Sequence, residues 1–188
     1  MARVRDVGVD EVPEEVRLIY RRYSEEYGPF LNQVRVFAHR PPALRHIMGL
    51  LLELADEPVL PKRDLEIAVV TVSKLNECAY CVAHHTPRAL AHGLSGEAIE
   101  HILEDSPPGF SERDILVRDY AREVTLNANG MRDAIFERLR EHFSEEQIVE
   151  LTLRAALCGF FNRVNDALQI EMEDAAISEL AACAAPGS

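Results

Sequence analysis

From Pro61 to Asn76 the sequence offers almost no polar face. Leu65, Ile67, Ala68, Val69, Val70, Val72 and Leu75 would surround a helix there with apolar groups, so that helix is expected to be buried on several sides. No run of alternating Val, Ile and Thr residues reads as a strand, and nearly every other segment has helical period. The expectation is an all-α chain.

Punctuation along the sequence places the other helices. Pro13 opens one that runs to about Tyr27 and stops at Gly28-Pro29. Pro41-Pro42 opens a second, with Leu44, Ile47, Met48, Leu51, Leu52 and Leu54 as its apolar stripe. After the buried third helix, Asn76 is read as the N-cap of a fourth that ends at His92-Gly93. Ser95 caps a short helix ending near Glu104, and Ser111 with Asp114 has capping-box spacing before a helix to Asn127. A helix over about Arg132 to His142 follows. Ser144 and Gln147 form a second capping box before a long helix reaching about Ile170. The end, Ala181 to Ser188, reads as frayed. The corresponding division is a helical extension over 1–40, a main helical domain over 41–170 and a tail over 171–188.

With 188 residues the chain suits one sizeable core. A formal charge of −12, with no basic cluster to offset it, argues against a nucleic-acid partner. Apolar stretches are broken by charge well short of the ~20 residues that span a bilayer, so no membrane partner is expected. The N-terminus lacks a signal-peptide pattern, which makes a cytoplasmic, reducing setting the default. There, four cysteines do not suggest a structural disulfide framework.

The chemistry concentrates between Glu66 and His85, in the pattern Glu66-x11-Cys78-x2-Cys81-x3-His85 with His84 adjacent. Residues three apart on a helix have Cβ atoms about 5–6 Å apart, and a small adjustment closes a disulfide. The helix dipole favours thiolate, especially at Cys78. Two buried thiols acting as small hydrophobes is the plain alternative. His85 shares a face with both cysteines and can move protons at neutral pH, but His84 is also one turn from Cys81, so spacing does not choose between them. His92 falls on the same side, farther away. A straight helix would not align Glu66 with Cys78, whereas a break at Asn76-Glu77 folds the two segments together. Burial should raise the Glu66 pKa, and a first-turn glutamate serving only the helix dipole is the alternative. Zinc on Cys78, Cys81 and a histidine is disfavoured by crowding on one helix, and Cys158 and Cys183 read as core and tail. No metal or other cofactor is expected. Glu150, Asn162, Asn165 and Gln169 repeat the spacing of the main pattern. A duplication whose second copy has lost its thiols would account for this, and so would chance.

The Glu66–His85 pattern, with Asn76-Glu77-Cys78-Ala79-Tyr80-Cys81-Val82-Ala83-His84-His85 around it and Phe161-Asn162-Arg163-Val164-Asn165 later, resembles the AhpD-like (alkylhydroperoxidase) branch of the carboxymuconolactone decarboxylase family, peroxidase-related type. The resemblance covers roughly residues 40 to 170. It implies an all-α helical bundle forming an obligate homo-oligomer, often a trimer or a hexamer, and reduction of a hydroperoxide substrate without haem or flavin. It also implies Cys81 as the attacking thiol and Cys78 as the resolving one, joined in a redox disulfide. Glu66 and His85 would form a proton relay, and an external dithiol or thioredoxin-like protein would be the reductant. The dipole argument favours Cys78 as the more acidic thiol and so disagrees on which attacks. Tyr80 stands where the best-studied AhpD proteins carry histidine, making Tyr80 and His84 auxiliary candidates. Two other functions stay open: a lactone or keto-acid enzyme using Glu66 and His85 as an acid–base pair, and a non-catalytic oligomeric protein.

Overall fold

The computed structural model describes residues 2–28, 30–174 and 176–178; the tail expected at 181–188, with Cys183, lies outside them. Among the described residues the regular structure is entirely helical. Two compact units divide the chain.

Among the described residues, the first unit comprises those up to Pro58 together with those from Asn165 to Ser178. It holds α1 (Glu14–Arg22), which continues as a π-helical turn over Tyr23–Tyr27, then α2 (Leu31–Phe37), α3 (Pro41–Ala43), a π-helical stretch over Leu44–Met48, and α4 (Gly49–Asp56). Val16, Tyr20, Tyr23, Val34, Leu44 and Met48 form its buried centre. The Tyr23 ring stacks on Tyr27 at 4.7 Å. Its hydroxyl donates to Gln33 Oε1 at 3.0 Å, and Gln33 Nε2 donates to Asn165 Oδ1 at 3.0 Å. These bonds satisfy side chains that are costly to bury unpaired. Helix α2 is absent from the sequence reading. It is seven residues long and Phe30 at its N-cap makes no side-chain cap bond, so the usual start signal is missing.

The second unit runs from Val59 to Val164 among the described residues. Its helices are α5 (Lys62–Leu75), α6 (Ala79–Ala91), α7 (Gly96–Glu100), α8 (Glu112–Leu126), α9 (Asp133–His142) and most of α10 (Glu145–Leu168). These boundaries, 58/59 and 164/165, differ from 40/41 and 170/171. The helix-opening proline at 41 marks where a helix starts, not where packing changes partners.

Helix α5 is the axis of this unit and packs against α6 and α8. Every residue from Asp64 to Ser73 is buried, as the missing polar face required. Its hydroxyl side chains are satisfied within the helix. Thr71 and Ser73 hydroxyls donate to the Ile67 and Val69 carbonyls at 2.7 Å each, and Asp64 accepts from Arg113 at 2.5 Å. Asp114 takes a two-pronged bond from Arg63 at 2.9 and 3.1 Å. Asp114 also completes the expected capping box: Ser111 Oγ accepts from its N–H at 3.2 Å while its carboxylate accepts from Ser111 N–H at 2.9 Å. The Ser144–Gln147 box forms as well, at 3.2 and 3.0 Å. Each cap contributes about 1 kcal/mol.

Candidate functional site: the corner between α5 and α6

The site begins with a helix ending. Beyond Leu75 the chain does not cap a new helix at Asn76; it closes the old one. Glu77 N–H donates to the Lys74 carbonyl at 3.1 Å and Cys78 N–H to the Ser73 carbonyl at 3.0 Å, the paired bonds of a Schellman ending. That motif needs a left-handed residue, and Glu77 supplies it at φ 56° although it is not glycine. Cys78 is then the N-cap of α6. The asparagine signal was ambiguous because Asn suits both helix ends.

The corner puts Cys78 and Cys81 at the positive end of α6, with Cys78 0% and Cys81 3% exposed. It also folds α6 back along α5. Glu66, 0% exposed, thereby meets His85 across the pair: Nδ1 lies 2.9 Å from Glu66 Oε2. A carboxylate only accepts, so Nδ1 carries the proton in that bond and acid–base change falls to Nε2. The adjacent His84 is turned elsewhere. Its Nδ1 donates to the Tyr80 carbonyl at 2.7 Å, its ring stacks on Tyr80 at 4.2 Å, and it is 2% exposed. Of the two histidines, His85 is the one in contact with Glu66.

Arg88 joins them. Its Nε lies 3.1 Å from Glu66 Oε1, within ion-pair distance but without an aligned hydrogen bond to that oxygen. The sequence reading missed Arg88, yet it stands three residues after His85 and so shares a helix face with it. This arginine helps reverse the expectation for the Glu66 carboxyl. Burial is the largest influence and pushes its pKa up. The charge and hydrogen bond of His85, then Arg88 and His92, outweigh burial and hold it below the ordinary glutamate value. Glu66 is therefore an anion that orients His85, rather than a carboxylic acid that donates.

Cys158, on α10, behaves as the core residue expected. Burial, against the lowering hydrogen bonds of Ser73 and Asn162, pushes its thiol up to about 12. Among the described residues no three His, Cys, Asp or Glu side chains are grouped to hold a metal ion, and no helix is long and apolar enough to cross a membrane.

The described residues thus combine an all-α fold with a Glu–His pair joining the two helices at the thiol-bearing corner. Residues 41–111 match the model of the carboxymuconolactone decarboxylase family. The fold is shared with the AhpD core of a peroxidase-related protein from Ralstonia eutropha JMP134, at 22% identity and a TM-score of 0.79 over 93% of this chain and 94% of that one. It is also shared with the debrominase Bmp8, at 18% identity and a TM-score of 0.75 over 95% and 96% of the two chains. In sequence, the chain is 29% identical over 105 residues to the uncharacterised Bacillus subtilis (strain 168) protein YdfG, covering 55% of this chain and 71% of that one. These findings support the AhpD-like branch read from the motif.

Proposed function

We propose that the chain is a thiol-dependent peroxidase that reduces alkyl hydroperoxides or hydrogen peroxide through Cys81 and Cys78. The observation that carries this reading is the Glu66–His85 contact of 2.9 Å on the helix pair that bears both thiols. The Cys81 thiolate attacks the terminal peroxide oxygen. An S–O bond forms, the O–O bond breaks, and the departing alkoxide takes a proton from His85. Glu66 stabilises the charged imidazole before the transfer. The Cys78 thiolate then attacks the sulfenic sulfur, a disulfide forms, and hydroxide leaves as water. An external dithiol or thioredoxin-like protein restores both thiols by exchange, which suits a cytoplasmic setting.

Replacing Cys81 with Ser is expected to abolish peroxide turnover, while Cys78→Ser leaves a sulfenic acid that a dimedone probe captures. Full turnover by the Cys81→Ser protein would sink the reading. A second reading is favoured by the family match: a lactone or keto-acid enzyme in which Glu66 and His85 act as the acid–base pair. Its activity would survive thiol alkylation, and the peroxidase's would not. A cysteine-to-alanine form of Bmp8 was crystallised with 2,3,4-tribromopyrrole, which makes a bromopyrrole a useful control substrate.

A homo-oligomer is part of the proposal. On α10, Val149, Leu153 and Phe160 are 58%, 40% and 38% exposed. Their spacing aligns them on one side of the helix, as in a helix–helix seam. Light scattering after size exclusion should give a trimer or a hexamer, and a monomer at micromolar concentration would contradict this.

A further inference from the structure

A buried polar chain lies behind the α5–α6 corner, and the reaction proposed above does not use it. Asn162 on α10 is 0% exposed, and its Oδ1 accepts from Asn76 Nδ2 at 2.8 Å. Its amide nitrogen lies 3.8 Å from Cys158 Sγ. Cys158 Sγ in turn lies 3.3 Å from Ser73 Oγ and 3.4 Å from the Val69 carbonyl. Ser73 Oγ also donates to that carbonyl, at 2.7 Å, so Cys158 and Ser73 share one acceptor.

Two residues of the corner are thus held from α10: Ser73, whose carbonyl accepts the Cys78 N–H, and Asn76, next to the left-handed Glu77.

We propose that Asn162 is a positioning residue for Cys78. By fixing the Asn76 amide it holds the corner, and so sets where the Cys78 thiol sits relative to Cys81. The role belongs to disulfide closure, in which the Cys78 thiol gives up its proton, its sulfur forms the S–S bond, and the sulfenic S–O bond breaks as the oxygen leaves as water with that proton. It does not belong to peroxide attack, which uses Cys81 and His85. The inference rests on the thiol-peroxidase reading.

The test measures closure directly. Asn162→Ala removes one buried amide bond and is expected to slow closure about tenfold. Dimedone-trappable sulfenic acid should build up, while the first, peroxide-consuming step keeps its wild-type rate. Asn162→Asp keeps the oxygen that accepts from Asn76 and should restore closure, which a general loss of packing would not allow. The pair Asn76→Ala and Asn162→Ala should be no slower together than either alone. Wild-type closure in Asn162→Ala, or additive effects in the double variant, overturns the role. A glutathione redox buffer forms the same disulfide without peroxide and separates the two claims. A roughly tenfold shift of the Cys78–Cys81 equilibrium in Asn162→Ala supports positioning, and an unchanged equilibrium refutes it. A wild-type protein that closes in the buffer but ignores peroxide refutes the peroxidase reading alone.

Discussion

Glu66 and Glu150 head two segments with the same polar spacing and end in different company. After Glu66 the helix breaks at a left-handed residue, and the chain doubles back so that His85 and Arg88 reach the carboxylate from another helix. After Glu150 the helix runs unbroken for the rest of α10, and the carboxylate pairs with Arg154 one turn along, at 3.1 Å. The two asparagines in the cysteine positions then serve different units: Asn162 bonds Asn76, and Asn165 bonds Gln33. Equal spacing therefore produces a corner that gathers a Glu–His pair in one segment and a helix-bound ion pair in the other. What separates them is the helix ending at residues 76–78.

The largest expected effect comes from neutralising each glutamate. Glu66→Gln should lower peroxide turnover on the order of 10²–10⁴-fold by removing the anion that orients His85. Glu150→Gln should leave turnover per folded molecule unchanged and cost about 3–5 kcal/mol of stability, because it removes the charge partner of buried Arg154. Steady-state kinetics and urea unfolding of both variants read the contrast. A matching loss of turnover in Glu150→Gln would break it.

Acid should sharpen the same difference. The folded Glu66 pKa lies below its ordinary value of 4.5. Its stabilising contribution is complete above that value and is lost as pH falls through the lower, folded one. Urea midpoints measured from pH 6 downward should show the wild type losing its advantage over Glu66→Gln below about pH 4.5. An advantage that grew in acid would give the opposite sign.

The smallest effect concerns the corner itself. Glu77 sits at φ 56°, where a side chain costs roughly 1–2 kcal/mol and glycine costs little. Glycine also adds about 0.5–1 kcal/mol of unfolded-chain entropy. Glu77→Gly should therefore stabilise by at most about 1.5 kcal/mol in thermal unfolding. A clear destabilisation would mean that the Glu77 side chain itself holds the corner.

Most of the helices were legible because their signals are local. Proline at 13, 41 and 61, the serine caps at 95, 111 and 144, and the apolar run after Leu65 each act within a few residues. Helix α2 was not legible, since nothing at Phe30 announces a start. At the site, the meeting of Glu66 with His85 across a break near Asn76 was readable from spacing, and Arg88 was not. The sign of the Glu66 shift was not, because burial speaks from sequence while the cations that outweigh it arrive through packing. Asn162 was visible only as a faint repeat; its partner Asn76 lies 86 residues away and only the fold brings them together.

The central claim is that Cys78 and Cys81 form one redox pair while Cys158 stays inert. Thiols counted on the unfolded chain before and after one equivalent of hydroperoxide test it most directly. The chain has four cysteines, and the count should fall from four to two, with the new disulfide mapped to Cys78 and Cys81. A count that stays at four, or a bridge that includes Cys158, would contradict the account.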